Sequence, residues 1–293
     1  MIKNFHPGDL WQNKSFLEIV QSHRNIKTFQ CAQYSMLLYT LGPIILKIKI
    51  YISRDFREND ISAFIENLHE LNALQIDIYC AINLSFNNYF ENINCRRQGT
   101  YVVDLNISRD DLFKSISSKR RNQIRKGLRE GVEISQVVDS KIFDKWWEIY
   151  LSTTERGGFT IQKKYLVWDA LQLPECRLFT AWHNETLLAG NIIFTHNFPF
   201  YWLGASLKKF SKFNAPSVLQ WNIIESYHKE GFRLYDMGGA EFDNSHGPTR
   251  FKKSMGPVFV EYQLLQVIPN PKLFALIKFG SKLYYKHLKR STW

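Results

Sequence analysis

The stretch Arg233-Leu234-Tyr235-Asp236-Met237-Gly238-Gly239 decides the reading of this 293-residue chain, together with the return Arg250-Phe251-Lys252-Lys253-Ser254-Met255-Gly256. An apolar run ends in an acidic residue and a glycine pair, and lysines come back about a dozen residues later. Glycines after a β-run let backbone approach a ligand where a side chain would obstruct it. Strand ends are also where open α/β sheets place their chemistry. A glycine turn leading into a basic loop would look the same in isolation, so the surrounding architecture has to decide.

Working outward, Cys176 to His183 reads as a strand, Asn184-Glu185 as a turn, Leu187 to Thr195 as a second strand and Pro199 to Gly204 as a third. A helix over about Pro216–Lys229 places Leu219, Ile223, Ile224 and Tyr227 on one face and stops at Gly231. The strand Phe232–Met237 follows. The first half repeats the plan. Thr28–Gln33, Met36–Thr40 and Ile44–Tyr51 are strand-like, Ile61–Leu74 is helical with Phe64, Ile65, Leu68 and Leu71 inward, and Ile76–Ala81 is a strand. Ahead of the second set lie two helices. One is Ser140–Arg156, with Ile142, Phe143, Trp146, Trp147 and Tyr150 as its buried face and Gly157-Gly158 as its break; the other runs over about Lys164–Leu173. The order is α-α-β-β-β-α-β, preceded by a reduced copy of itself. The expected fold is α/β (α+β): tandem modules over residues 1–106 and 107–268, each a mixed twisted sheet flanked by helices, with a basic amphipathic tail over 269–293.

Hydrophobic residues at 45% and charged residues at 22% describe an ordinary globular protein. A formal net charge of +11 points to an anionic partner: RNA, a nucleotide-linked substrate or an acidic lipid surface. Cys31, Cys80, Cys95 and Cys176 are scattered, without CxxC spacing or a neighbouring His cluster. That argues against structural zinc, any other metal and a disulfide framework, and fits a reducing compartment. The N-terminus lacks the apolar core of a signal peptide, and no window reaches about 18 uninterrupted apolar residues. The expectation is a cytoplasmic protein. The tail from Pro271 to Arg290 is apolar and basic at helical spacing, which suits either an anionic membrane face or docking on the domain.

Between the modules, Ser108-Arg109-Asp110-Asp111 forms a capping box. A basic helix follows with Lys119, Arg120, Arg121, Arg125, Lys126 and Arg129, ending at Gly131. Arg121, Arg125 and Arg129 are four apart and share a face. That face reads as a phosphate-binding stripe, because guanidinium forks match phosphate oxygens, or else as a solvated surface.

The element order resembles the GNAT (N-acetyltransferase-like) fold, and particular residues resemble the Fem family of aminoacyl-tRNA-dependent transferases, whose members carry two such modules. The likeness rests on Lys119 to Lys126 with Gly131-Val132, on Thr153 to Arg156 with Phe159 and Tyr165, and on Tyr201-Trp202-Leu203-Gly204-Ala205-Ser206. It continues through Leu219-Gln220-Trp221 to the Asp236-Met237-Gly238-Gly239 strand end with Phe251-Lys252. The early Trp11-Gln12-Asn13-Lys14 fits the first module. Departures are Ser53-Arg54-Asp55-Phe56 in place of the family's Pro-Arg-Gly-Pro, and Ile161 where a basic residue is common. The resemblance implies transfer of an aminoacyl group from aminoacyl-tRNA to an amine of a cell-envelope precursor, either peptidoglycan or surface polysaccharide, nucleotide- or lipid-linked. Acyl-CoA as donor to an amino sugar is the alternative within enzymes. A non-catalytic RNA- or membrane-binding protein is the alternative outside them.

Transfer from an activated ester to an amine requires a positioned donor, a proton acceptor and a stabilised oxyanion, with no covalent nucleophile. Lys252 is the candidate to meet the oxyanion or a donor phosphate, with Lys253 in its place if the register differs. Asp236 orients that lysine, accepts a proton, or simply closes its strand. Gly238 and Gly239 open the approach. Tyr165, Tyr201 and Trp202 are candidates to line the acceptor cleft, Trp202 being equally suited to the core. Arg156 holds a carboxylate or phosphate, or offsets a helix dipole. Arg120, Arg121, Arg125 and Lys126 are the candidate tRNA contacts. The connection Leu207 to Pro216 has no glycine and includes a proline without an amide hydrogen, which disfavours a CoA pyrophosphate cradle.

Overall fold

The structure is a computed structural model and describes residues 9–24, 26–41, 43–53, 56–80, 89, 93–136, 139–240, 247–276 and 279. Helix α1 (Lys14–His23) comes first, followed by strands β1 (Ile26–Gln30), β2 (Tyr34–Leu41) and β3 (Ile44–Ile52), helix α2 (Ile61–Glu70) and strand β4 (Ile76–Cys80). Strand β5 (Ile93–Asp104) leads to helices α3 (Arg109–Ser115) and α4 (Ser118–Arg129), the short strand β6 (Val132–Ser135), and helices α5 (Ser140–Gly157) and α6 (Lys164–Ala170). Strands β7 (Cys176–His183), β8 (Thr186–Thr195) and β9 (Pro199–Ser206), helix α7 (Ala215–Lys229), strand β10 (Leu234–Ala240), helix α8 (Gly247–Lys253) and strand β11 (Val258–Val267) complete the order.

The chain divides into two compact units. One comprises Asp9–His23 and Gln98–Glu261; the other comprises Arg24–Arg97 and the chain from Tyr262 onward. The sequence reading had placed residues 1–106 together. Helix α1 instead belongs with the larger unit, because its apolar stripe is buried there. Phe16 lies edge-on to Trp202 with ring centroids 5.2 Å apart and tilts against Phe194 at 5.1 Å. His23 Nε2 sits 2.5 Å from Asp169 on α6. The latter part of β11 likewise falls in the smaller unit, where it pairs antiparallel with β4.

In the smaller unit the strand order is β1-β2-β3-β4-β11, with β3 and β4 parallel. Ile48, Ile50 and Ile52 alternate inward with Ile76, Ile78 and Cys80, and α2 covers them with Phe64, Ile65 and Leu68. Period-two alternation of β-branched residues against a helix at 3.6-residue spacing is what the sequence shows here. The intervening positions are polar: Lys47 pairs with the buried Asp77 at 2.5 Å. This is the reduced module: its β4 ends in Cys80, and its acidic residue, Asp77, is followed by no glycine pair within the strand.

In the larger unit the order is β5-β10-β9-β8-β7-β6. All neighbours run antiparallel except β9 and β10, which are parallel with Phe200 opposite Asp236. Helix α7 buries Val218, Leu219, Ile223, Ile224 and Tyr227, and α5 buries Phe143, Trp146, Trp147 and Tyr150, the face its spacing announces. Ile142 is only half-buried. Asp139 caps α5 by accepting from the Ile142 amide at 2.7 Å. The basic stretch between the modules is two helices, with Ser108 capping the first. They break at Ile116, which turns extended and drops its side chain into the core.

Trp146 is fully buried, stacks on Tyr150 at 5.2 Å and donates from Nε1 to the Gly190 carbonyl at 3.0 Å. Replacing it by alanine leaves both a cavity and an unmatched carbonyl. Trp146→Ala therefore lowers unfolding free energy by about 3–5 kcal/mol, whereas Leu151→Ala on the exposed side of α5 changes it by about 0.5 kcal/mol or less, both read by denaturant titration.

Candidate active site

The site forms where β10 leaves its ladder. Asp236 pairs with Val102 of β5, and the register then shifts before Gly239 meets Thr100. A bulge of this kind re-aims the strand, and Gly238 makes it possible by adopting φ +79°. A Cβ there would also approach the Tyr201 carbonyl to 3.0 Å and Lys252 Nζ to 3.5 Å.

Asp236 is 2% exposed. Its Oδ1 accepts from Thr100 Oγ1 at 2.5 Å and from the Gly238 amide at 2.8 Å. Burial raises its pKa to about 6, against the pull of those two donors and of Lys252. Lys252, near the end of α8, donates from Nζ to the carbonyls of Gly238 at 3.1 Å and Gly239 at 2.8 Å. Burial lowers the ammonium pKa to about 8, opposed by the Asp236 charge. The ammonium also lies 5.8 Å from the centre of the Tyr201 ring.

Tyr201 is anchored from below. Its hydroxyl donates to Asn191 Oδ1 at 3.3 Å, Asn191 Nδ2 to Gln220 Oε1 at 3.3 Å, and Gln220 Nε2 to the Tyr235 hydroxyl at 2.8 Å. Gly204 leaves room for the ring, since a Cβ there would fall 1.6 Å from the Tyr201 oxygen. Burial pushes the Tyr201 phenol above its usual range, so it stays a neutral donor.

Of the residues singled out in the sequence, the structure brings together Asp236, Gly238, Gly239, Lys252 and Tyr201. Trp202, at the register shift between β8 and β9, is half-buried and packs edge-on against Phe16. Tyr165 is 74% exposed at the start of α6. Arg156 turns to Thr153 Oγ1 at 3.5 Å and the Ser206 carbonyl at 3.3 Å, tying α5 to β9. Neither shares a hydrogen bond with the Lys252 cluster among the described residues.

Of the arginine stripe, Arg121 is half-buried, and Arg125 and Arg129 are exposed. Arg120 bonds Ser254 and Ser217, Arg121 donates to the Lys114 carbonyl at 2.8 Å and to that of Ile116, and Arg125 lies over Phe113 at 5.2 Å. Lys126 pairs with Glu130 at 3.6 Å. On the outward side of α4, Ser118, Lys119, Asn122, Gln123 and Lys126 line an open depression of about 490 Å³. Thr100 and Asn191 are not singled out by the sequence, and Gln220 is noted there only within Leu219-Gln220-Trp221, without a role at the site. Thr100 meets Asp236 across 136 positions of chain, and only the run Tyr101-Val102-Val103 signals its strand.

Comparison with known proteins agrees with this architecture. Residues 118–253 match the family model described as an acetyltransferase (GNAT) domain. The chain is similar to the UDP-N-acetylmuramoylpentapeptide-lysine N(6)-alanyltransferase of Weissella viridescens, at 25% identity over 134 residues, 44% of this chain and 39% of that protein. The match thus spans well under half of that relative. In fold it resembles FemX, with a TM-score of 0.72 and 16% identity over 94% of this chain and 96% of that one. It also resembles the C-terminal domain of a putative lysylphosphatidylglycerol synthetase from Agrobacterium fabrum, with a TM-score of 0.62 and 12% identity over 94% and 93%. Residues 118–253 thus resemble a GNAT domain, and the fold, built from two modules of mixed sheet and helix, is similar to that of FemX.

The Asp236 pKa of about 6 lies above the usual carboxylate value of 3.8, so ionising the group destabilises the fold. The favourable contribution is complete below about 3.8 and is lost as pH rises through about 6. Thr100→Val removes a donor to the ionised form, so its cost is larger at pH 8 than at pH 5, by about 1–2 kcal/mol. Urea titrations at the two pH values measure the difference.

Proposed function

We propose that the chain is an amide-forming aminoacyltransferase, moving an aminoacyl group from aminoacyl-tRNA to an amine of a cell-envelope precursor. The observation that carries the reading is the Lys252 ammonium, bound to the carbonyls of Gly238 and Gly239 at the parting of two parallel strands. An ammonium fixed in a water-poor site stabilises the negative charge that builds on an ester carbonyl under attack. The neighbouring carboxylate keeps it protonated and orients it. Formation of the amide and departure of the ribose oxygen need no enzyme adduct.

The donor preference follows from the entrance to α7. Asn214 adopts φ +54°, and the amides of Phe210 and Asn214 bond back to Leu207 and Ser211. Pro216 has no amide hydrogen, and those of Ser217 and Val218 bond to the Asn214 carbonyl. These amides are spent within the turn, leaving little to cradle a CoA pyrophosphate. Lys119 and Lys126 beside the depression on α4 supply positive charge for an RNA backbone. The acceptor is a precursor of peptidoglycan or surface polysaccharide; the Weissella relative's name specifies a UDP-N-acetylmuramoylpentapeptide lysine for that protein.

No helix among the described residues is long and apolar enough to cross a membrane. Leu273, Leu276 and Phe279 are exposed three residues apart, and Lys272 is exposed beside them. From Tyr262 to Trp293 the sequence has no Asp or Glu. Residues 277, 278 and 280–293 of the basic tail lie outside the described residues. We read the segment as a contact for an anionic lipid surface carrying a lipid-linked acceptor. Vesicles of phosphatidylglycerol should co-sediment the protein and those of phosphatidylcholine should not, with Leu276→Asp weakening the binding.

Radiolabelled aminoacyl-tRNA and acetyl-CoA offered separately with cell-envelope extract test the reaction. Label from aminoacyl-tRNA should enter the acceptor and cease to do so after ribonuclease treatment; transfer from acetyl-CoA alone would make the enzyme an acyl-CoA transferase. Lys252→Ala should lower kcat/KM about 10²–10³-fold. The pH profile should rise through about 6 as Asp236 ionises and fall above about 8 as Lys252 loses its proton. A rate still climbing through 8 would make Lys252 a base.

A further inference from the structure

Arg120 sits where three elements meet. From α4, its Nε donates to Ser254 Oγ at 3.0 Å, just beyond α8, and its Nη1 donates to Ser217 Oγ at 2.9 Å in the first turn of α7. The guanidinium lies over the Phe251 ring of α8 at 4.5 Å. It is half-buried, and among the described residues no carboxylate pairs with it. Burial lowers its pKa below the usual guanidinium range. Taking a cation out of water costs free energy unless its contacts return it, so the contacts it makes indicate what the placement is for.

Helix α8 spans Gly247–Lys253, seven residues, too short to persist without tertiary anchors. Its anchors come from the α3–α4 junction. The Ser117 amide donates to the Ser254 carbonyl at 3.0 Å, and Gly256 packs so closely on Ser115 that a Cβ would lie 2.3 Å from its Oγ. The Met255 amide donates to the Lys252 carbonyl at 2.9 Å. Arg120 is the side chain that ties this cluster to α7. A planar fork that bonds two hydroxyls while its face covers a ring is a task for arginine and not for lysine.

We propose that Arg120 is a positioning residue for Lys252: a brace between α4, α7 and α8 that keeps the lysine ammonium over the Gly238 and Gly239 carbonyls. The proposal rests on the reading of Lys252 as the group that meets the oxyanion. It also removes Arg120 from the anion-binding set, since both of its bonds go to protein hydroxyls.

Competitive labelling of Lys252 with a small amine-reactive reagent across pH, read by peptide mass spectrometry, gives the midpoint of its titration without any substrate. The wild-type midpoint is expected at about 8. In Arg120→Gln, release of α8 lets water reach the ammonium and moves the midpoint above about 9. Arg120→Lys, which keeps the charge and loses the fork, should behave as Arg120→Gln. Ser254→Ala, which removes one bond and is the control should the arginine variants fold poorly, should move it partway. In transfer assays the arginine variants should lose about tenfold or more in kcat with KM for the donor held within about twofold. A midpoint left at about 8 in folded Arg120→Gln and Ser254→Ala would overturn the proposal, as would a raised donor KM with unchanged kcat. A shifted midpoint in a protein whose wild type transfers nothing would uphold the brace and refute the transferase reading.

Discussion

A lysine ammonium taken from water has to be held by something that replaces water, and here the replacement is the end of a strand. Gly238 and Gly239 turn their carbonyls toward Lys252, and the buried Asp236 supplies the opposing charge. The arrangement depends on the bulge after Asp236, which Gly238 permits by its left-handed backbone. The depressed lysine and the raised carboxyl follow from the same burial, so both groups titrate near neutrality. Tyr201, Asn191, Gln220 and Tyr235 extend the polar network into the core, where each buried group finds a partner.

The two modules share an order of three strands, a helix and a strand, yet among the described residues only the larger unit joins an acidic residue, a glycine pair and a returning lysine at a strand end. In the smaller unit β4 ends in Cys80, and its buried carboxylate, Asp77, is committed to Lys47, Gln75 and Gln266. A sheet with a helix on one face is a general scaffold. The acidic residue, the glycine pair and the returning lysine mark one copy of it as the candidate site.

Strands β1–β4 and β7–β10 and the helices α5 and α7 are legible because their signals are local: alternation, helical spacing, and glycine or proline stops. Asp236, Gly238, Gly239 and Lys252 were legible for the same reason, since fewer than 20 residues separate the glycines from the lysine. What the sequence hid was set by distant partners. Strand β5 carries exposed or half-buried residues over its first half, which leaves only a short apolar run as its local signal. Helix α1 is amphipathic, but nothing local says that Phe16 meets Trp202. The spacing of Arg121, Arg125 and Arg129 suggested a phosphate stripe. The break at Ile116 could not be seen in the charges, and it is this break that gives Arg121 the Ile116 carbonyl to bond.

The central claim is that Lys252 acts as a fixed cation. Chemical rescue of Lys252→Ala by small amines tests it most directly. If the claim holds, alkylammonium ions restore transfer in proportion to their protonated fraction, and the rescue fades above each amine's own pKa. Rescue that instead grows with the neutral amine would show that the site needs a base there and would contradict the account.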